Sequence, residues 1–253
     1  METREHDDEL TARCAARLAS LGGRTAFAAR WMGSAGPPVM IRAEDALPAE
    51  GLLALPLAAE TLRRADLGQF RLDERLLASD DVTDADGEQS IGDLLALSLT
   101  GDDGAANALL ELVGRGEVNE TATRMGLRRT RLEGRFGDDA PAAYRENVTC
   151  GSDMVTLLAL VRGNALPGAS RLREALPATR QVGESPLELP GDVEVTHTTS
   201  VARVSFGDAG ILTGSHRACV YGFLAGEQVD SQAAQAVFAM ILRDLWNSQR
   251  SDA

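Results

Sequence analysis

The sequence predicts an α+β fold in the form of an α/β sandwich. We expect an antiparallel sheet of about five strands, built from both ends of the chain, flanked by terminal helices and carrying an inserted helical subdomain. Three observations predict it: strand-like runs occur near both termini, the residues between them have a mostly helical pattern, and amphipathic segments begin and end the chain. With 44 % hydrophobic and 25 % charged residues, the 253-residue chain has an ordinary globular composition.

The N-terminal part supplies one helix and two strands. Residues 7–21 place apolar side chains on one helical face, and the pair Gly22–Gly23 ends that pattern. Residues 25–31 and 39–43 are short strand-like runs. The glycine- and proline-rich loop 33–38 between them predicts a hairpin.

The rest of the chain completes the predicted sheet. Residues 47–180 have a mostly helical pattern that is interrupted at glycine-containing stretches. Three strand-like runs follow at 193–205, 209–213 and 218–225. Residues 231–250 then form a closing amphipathic helix.

The chain shows no repeat and no low-complexity linker. We therefore expect a single domain over residues 1–253. Its α/β part comprises residues 1–46 and 181–253, and residues 47–180 form the helical subdomain.

The charge of the chain excludes several functions. The formal net charge is −13, which repels phosphate backbones, so we expect no nucleic-acid partner. All 25 basic residues are arginine, and the chain contains no lysine. This composition excludes a lysine general base, a lysine Schiff base and a lysine phosphate clamp.

Cysteine and histidine are too sparse for a metal or disulfide framework. The three cysteines lie far apart, and the chain has three histidines. We expect no metal and no cofactor. The charged N-terminus lacks the apolar core of a signal peptide, and no apolar run reaches membrane length, which predicts a cytoplasmic protein without a membrane partner. The sequence leaves the oligomeric state open.

Several strings, in order and spacing, carry a family resemblance. They are 47–56, reading Leu-Pro-Ala-Glu-Gly-Leu-Leu-Ala-Leu-Pro; 94–110, with Gly101-Asp102-Asp103 and Asn107; 126–132; and 195–214, with Asp208-Ala209-Gly210-Ile211. Together they resemble the class A β-lactamases and penicillin-binding-type serine hydrolases over nearly the whole chain. The resemblance implies the sandwich fold described above.

The same resemblance places unreactive residues at the family's catalytic positions. Its serine nucleophile falls on Gly51 and its lysine base on Ala54, which have no side-chain group for either task. The family's Ser-Asp-Asn triplet becomes Gly101-Asp102-Asp103, and its Lys-Thr-Gly triplet becomes Thr198-Thr199-Ser200. The deacylating glutamate has no clear counterpart in residues 133–141. We therefore expect all three motifs to be degenerate.

Backbone groups survive such losses. The resemblance places the two N–H donors of the family's oxyanion hole at Gly51 and Val201, so a notch that binds a carbonyl oxygen is expected to persist. Loss of the serine and lysine side chains at Gly51 and Ala54 also predicts an enlarged pocket. Binding without covalent chemistry is therefore physically plausible.

The acidic residues near these positions have two interpretations each. Glu50 is either an acid or base beside the old nucleophile position, or a helix-start carboxylate acting electrostatically. Asp102 and Asp103 are a proton-transfer pair if both face a cleft, because mutual repulsion raises one pKa. Otherwise Asp102 is held in a local turn and Asp103 faces solvent.

Residues around the third motif are also ambiguous. His197 is either catalytic or a packed, hydrogen-bonded histidine at the edge of the sheet. The hydroxyls of Thr198, Thr199 and Ser200 either bind a ligand carboxylate or amide, or belong to ordinary strand residues. Arg203 either pairs with an acidic ligand group or is an exposed strand arginine.

A cysteine offers a less favoured nucleophile. Cys150 opens a predicted helix, where its thiol pKa could be lowered, but no histidine partner lies nearby in the sequence.

Three functions follow from these residues. The first is a pseudoenzyme that binds a small β-lactam- or peptide-like molecule, or a protein partner. The second is a repurposed acid/base enzyme of secondary metabolism, without a covalent intermediate, such as a hydrolase, isomerase or cyclase. The third is a β-lactamase by fold alone, without turnover.

Overall fold

The computed structural model describes residues 2–34, 36–77, 88–137, 147–202, 205–226 and 229–248. The described helices are α1 (Glu2–Ala19), α2 (Ala54–Asp66), α3 (Ile91–Leu99), α4 (Asp103–Val113), α5 (Arg115–Arg124), α6 (Gly151–Arg162), α7 (Ala169–Ala175) and α8 (Ser231–Ser248). The described strands are β1 (Arg24–Trp31), β2 (Val39–Ile41), β3 (Leu47–Pro48), β4 (Arg75–Leu77), β5 (Glu88–Ser90), β6 (Val148–Thr149), β7 (Gln181–Val182), β8 (Ser185–Pro186), β9 (Glu194–Ala202), β10 (Ser205–Thr213) and β11 (Ala218–Gly226). A 3-10 turn, Glu50–Leu53, leads into α2.

The central sheet combines strands from both ends of the chain. Its order is β2-β1-β11-β10-β9, and each neighbouring pair is antiparallel. The predicted α+β class, with an antiparallel sheet of about five strands, is confirmed. Strands β10 and β11 are buried almost throughout, because helices cover both faces of the sheet.

Three strand boundaries differ clearly from the prediction. The run predicted as one strand over 193–205 ends at Ala202, and β10 begins at Ser205 rather than at residue 209. The start of β10 at Ser205 was not predicted because Gly207 lies in it, and a glycine weakens the sequence pattern of a strand. A Cβ there would lie 2.8 Å from Cδ1 of Leu52, so the glycine lets the 3-10 turn pack on the sheet. The strand predicted over 39–43 ends at Ile41, because Arg42 has a φ of +46°.

Two apolar cores lie on opposite faces of the sheet. The first core joins the sheet to α1 and α8, and Phe238 of α8 packs its ring against Phe27, Phe206, Tyr221 and Phe223. The second core joins the other face to helices α2 to α7. The fold is therefore three layers thick at the sheet.

Helix α6 approaches the sheet through two glycines. A Cβ on Gly151 would lie 3.1 Å from the amide nitrogen of Ala28, and one on Gly222 would lie 2.6 Å from Cβ of Met154. Larger residues at either position would push α6 off the sheet. Glycine here provides the space for backbone contact.

The segment predicted as mostly helical contains short strands as well. Strand β3 pairs with β6, and β4 pairs with β5. Helix α2 lies in the middle of this segment, and its residues from Ala54 to Leu62 are all buried. This burial explains why its sequence is nearly continuous in apolar and small residues.

Candidate functional site

The turn before α2 meets strand β9. The Gly51 N–H donates a hydrogen bond to Oγ of Ser200, with a nitrogen–oxygen distance of 3.0 Å. A Cβ on Gly51 would lie 3.6 Å from Cβ and from Oγ of Ser200, which is ordinary van der Waals contact. Two segments that are 149 residues apart in the sequence thus form one site.

The turn also places Ala54 at the start of α2. Its N–H bonds to the carbonyl oxygens of Gly51 and Leu52, and its side chain is fully buried in the apolar core. Gly51 and Ala54 therefore lie one turn apart.

A third segment reaches the same strand from the helical layer. The Thr198 hydroxyl donates to the carbonyl oxygen of Leu99 at 2.8 Å. Gly101 has a φ of +96°, and a Cβ on it would lie 3.9 Å from the carbonyl oxygen of Thr199. The structure therefore brings together the three segments that the sequence analysis had singled out.

Strand alternation divides the predicted hydroxyl residues between two faces. Thr198 and Ser200 face the helical layer. There the Thr198 hydroxyl donates to the Leu99 carbonyl, and the Ser200 hydroxyl accepts from the Gly51 N–H. The Thr199 hydroxyl instead donates to Oδ2 of Asp208 at 2.6 Å on the opposite face. Thr199 therefore presents its carbonyl, but not its hydroxyl, toward Gly101.

His197 belongs to the same opposite face and lies away from the turn that holds Gly51. Its Nδ1 lies 2.8 Å from Oδ2 of Asp208, and the Tyr221 hydroxyl donates to Oδ1 of that carboxylate at 2.9 Å. His197, Asp208 and Tyr221 are at most 2 % exposed, and Tyr221 packs on Phe238 of α8. The packed, hydrogen-bonded interpretation of His197 is the one that this geometry favours.

Opposing effects act on the His197 ring. Burial alone would lower the pKa of His197, but the Asp208 carboxylate, through its charge and its hydrogen bond, raises that pKa above the ordinary value. Burial and the Asp208 charge raise the pKa of Tyr221 well above its ordinary value. Asp208 belongs to the family string 208–211, but this network could not be predicted from the string, because the string does not give the cross-strand register of Asp208.

The two aspartates of the second segment have different surroundings. Asp102 caps α4, since its carboxylate accepts a hydrogen bond from the Ala105 N–H at 2.7 Å. Asp103 is an exposed residue, and partial desolvation of its carboxyl, followed by the charge of Asp102, raises the pKa of Asp103 above its ordinary value. Oδ2 of Asp103 approaches Gly137, where a Cβ would lie only 2.6 Å away.

Two asparagines hold the loop next to Asp103. Asn107 accepts a hydrogen bond from the Phe136 N–H at 2.9 Å and donates one to the Phe136 carbonyl at 3.0 Å. Oδ1 of Asn147 accepts hydrogen bonds from the N–H groups of Glu133 and Gly134. Asn107 stands in a family string, but its role in holding this loop through its side-chain amide was not predicted.

Three predicted candidates remain. Arg203 and the side chain of Glu50 lie outside the described residues. Val201 is described and is 53 % exposed near the end of β9.

A family model settles the relationship of this chain to known proteins. The model described as "Beta-lactamase enzyme family" matches residues 9–249. The chain belongs to the β-lactamase enzyme family. Among curated proteins, none matches the sequence.

Solved β-lactamases and related proteins share the fold. A β-lactamase from Sphaerobacter thermophilus superposes with a TM-score of 0.84 at 22 % identity, over 95 % of this chain and 96 % of that one. PBP-A gives 0.84 at 17 % identity, over 96 % of both chains. An ancestral class A β-lactamase gives 0.82 at 24 % identity, over 94 % of this chain and 99 % of that one. These likenesses establish a β-lactamase fold.

Within this β-lactamase fold, Cys150 is unsuited to nucleophilic attack. It is fully buried at the start of α6. Burial raises the pKa of its thiol to about 12, so the thiolate is scarce at neutral pH.

The described residues contain no group of three or more histidine, cysteine or acidic side chains arranged to hold a metal ion. None of the described helices has the length and apolar character needed to cross a membrane.

Proposed function

We propose that this chain is a catalytically degenerate β-lactamase-family protein that binds a small β-lactam- or peptide-like molecule without acyl transfer. The contact between the Gly51 N–H and Ser200 Oγ carries the proposal. It places a backbone donor and a hydroxyl at the head of α2, where position 51 has no side chain. Such groups bind a carbonyl or carboxylate oxygen but form no acyl intermediate on Gly51.

Loss of the family's proton-transfer groups supports the same proposal. Ala54 stands one turn after Gly51 and is sealed in the apolar core. The chain has no lysine. The ring of His197 is hydrogen-bonded to Asp208 on the opposite face of the sheet from Gly51. An acyl-transfer reaction needs both a nucleophile and a base to accept its proton, and neither is supplied at positions 51 and 54.

The edge of the sheet supports binding of an extended ligand. Strand β9 lies at one end of the sheet order. The outer side of its first part already pairs with residues 177–179, so an added strand-like segment could pair only with its later part, from Thr199 onward. Val201 is exposed there and offers apolar contact. The Gly51 N–H already donates its hydrogen bond to Ser200 Oγ in this structure. A ligand oxygen can therefore accept from that N–H only if it displaces the Ser200 hydroxyl.

A labelling experiment tests the absence of acyl transfer. We expect a fluorescent penicillin to leave no covalent adduct after denaturation, as judged by intact-protein mass. A known class A β-lactamase treated in parallel supplies the positive control. A stable adduct on any serine of this chain, located by peptide mapping, would refute the proposal.

Binding requires a separate experiment. We expect benzylpenicillin or a D-amino-acid-terminated peptide to raise the melting temperature, since a ligand selective for the folded state stabilises it. The matched variant is Gly51→Pro, which removes the N–H donor. Binding that survives this variant unchanged would separate the ligand site from Gly51. If neither probe raises the melting temperature and the chain instead binds another protein, the ligand would be a protein partner.

The raised pKa of Asp103 favours a second candidate. A carboxyl that keeps its proton nearer to neutral pH can act as a general acid or base, as in a repurposed enzyme. Asp103→Asn and Asp102→Asn test this function, and Glu111→Gln is a matched control on the exposed face of α4. An activity that survives both aspartate changes excludes the pair from its chemistry.

A further inference from the structure

A cavity of about 330 Å³ lies in the helical layer, away from the turn that holds Gly51. Helix α2 contributes Arg63, α5 contributes Thr121 and Arg124, and the connection from α6 to α7 contributes apolar residues. Arg63 is nine residues beyond the start of α2, which corresponds to roughly 13 Å along the helix axis. The cavity is thus a separate place in the fold.

Its lining combines apolar walls with two guanidinium groups. Six of the nine lining residues are apolar, among them Met125, Leu166 and Pro167. The charged lining residues are both arginine, Arg63 and Arg124. The volume lies at the lower end of the range for small-molecule sites, and such sites also combine apolar walls with a few convergent polar groups.

A buried glutamate fixes the arginines from below. Glu60 is fully buried and accepts hydrogen bonds from Nε and Nη2 of Arg63 at 2.7 and 2.8 Å. It also accepts from Arg64 at 2.6 Å and from the Thr121 hydroxyl at 2.6 Å, while a nitrogen of Arg124 lies 3.8 Å away. One carboxylate therefore faces three guanidinium groups.

Two further glutamates on the solvent side bring this cluster to formal neutrality. Arg64 pairs with Glu117 at 3.3 Å, and Arg124 pairs with Glu120 at 2.6 Å. The two carboxylates are 47 % and 61 % exposed and do not line the cavity. Exposed pairs of this kind are screened by water and exchange easily. Among the described residues, nothing accepts a hydrogen bond from Nη1 of Arg63 or from Nε of Arg124.

We propose that this cavity binds a small monocarboxylate with an apolar body, its carboxylate held by Arg63 and Arg124 and its body lying against Met125 and Leu166. A singly charged head suits two guanidiniums that already share Glu60, and a planar carboxylate matches their donor geometry. The apolar walls disfavour a ligand that is charged at both ends. This binding site is independent of the function proposed for the Gly51 turn.

Calorimetry with octanoate, below its micelle concentration, tests the site, with octanamide as the uncharged analogue. We expect octanoate to bind at least tenfold more tightly than octanamide. Arg124→Gln should weaken octanoate about tenfold, because it removes a charge-assisted hydrogen bond. Arg71→Gln is the matched control, since Arg71 is 77 % exposed and pairs with Asp73 elsewhere on the surface.

A filling variant removes the space without touching the arginines. Ala165 lines the cavity at its exposed lip, so Ala165→Trp should abolish octanoate binding while the melting temperature stays close to that of the parent. Equal affinity for octanoate and octanamide, no binding of octanoate, or an Arg124→Gln variant that behaves like Arg71→Gln would each overturn the proposal.

Discussion

Replacing Asp208 by asparagine should cost more stability than any change at the protein surface. The Asp208 carboxylate is fully buried and accepts hydrogen bonds from Thr199 and Tyr221 while pairing with His197. Removing one partner of a buried ion pair typically costs about 3–5 kcal/mol, because the other charge is left without compensation. In a chain of this length that corresponds to a fall in melting temperature of roughly 6–20 °C.

The pH dependence of the same variant gives a sharper result. In the parent, Asp208 raises the pKa of His197 above its unfolded value near 6.5, so this stabilisation is complete below that pH. It is lost as pH rises through the higher folded pKa. Without the Asp208 charge, burial, the largest effect on this ring, is opposed only by the smaller effects of backbone groups at residues 179 and 181, so the folded pKa of His197 falls and stability is lost as pH falls.

Urea unfolding between pH 5 and pH 9 measures both effects. The difference in free energy of unfolding between the parent and Asp208→Asn should be largest at low pH and shrink as pH rises. Asp66→Asn is the matched control, because Asp66 pairs with Arg171 at a partly exposed position and its loss should cost less than about 1 kcal/mol. A pH-independent difference, or a cost as small as that of the control, would refute the assignment of a buried ionic pair.

Two further predictions concern the site and its support. Ser200→Ala should strengthen benzylpenicillin binding about two- to tenfold in calorimetry, since the ligand no longer has to displace a hydroxyl from the Gly51 N–H; weaker binding would instead make Ser200 a ligand donor. Asp153→Ala should lower the free energy of unfolding by about 3–5 kcal/mol in urea titrations, because its buried carboxylate accepts from three successive N–H groups and the Thr130 hydroxyl. Asp153→Asn keeps one acceptor and should cost less, and equal costs would count against this reasoning.

The sheet could be predicted because its strands carry a strong apolar signal. Strands β10 and β11 are buried on both faces, so their sequences are nearly continuous in apolar and small residues. The boundary at Ser205 could not be predicted, since Gly207 looks like a turn residue until the packing of Leu52 on it is known. A glycine in a sequence can mark either a turn or a close packing contact, and the sequence alone does not distinguish the two.

Some features of the candidate site could likewise be predicted from the sequence, and others could not. The meeting of Gly51 with β9 followed from the resemblance, although the resemblance did not give the hydrogen bond from Gly51 to Ser200. Strand parity alone could have assigned His197 and Thr199 to the opposite face from Thr198, since successive side chains alternate. The partner Asp208 required the cross-strand register, which pairs it with Thr199.

The packing of Leu52 against Gly207 has a consequence for how this site changes over evolutionary time. Leu52 is fully buried against the sheet and Leu53 is fully buried in the apolar core, so selection for a folded chain alone preserves the path of the backbone around position 51. Side chains at 51 and 200 can be exchanged without cost to that path. Proteins with this architecture can therefore lose one chemistry and acquire another by a few substitutions at these positions. The backbone that positions the substituted side chains stays the same.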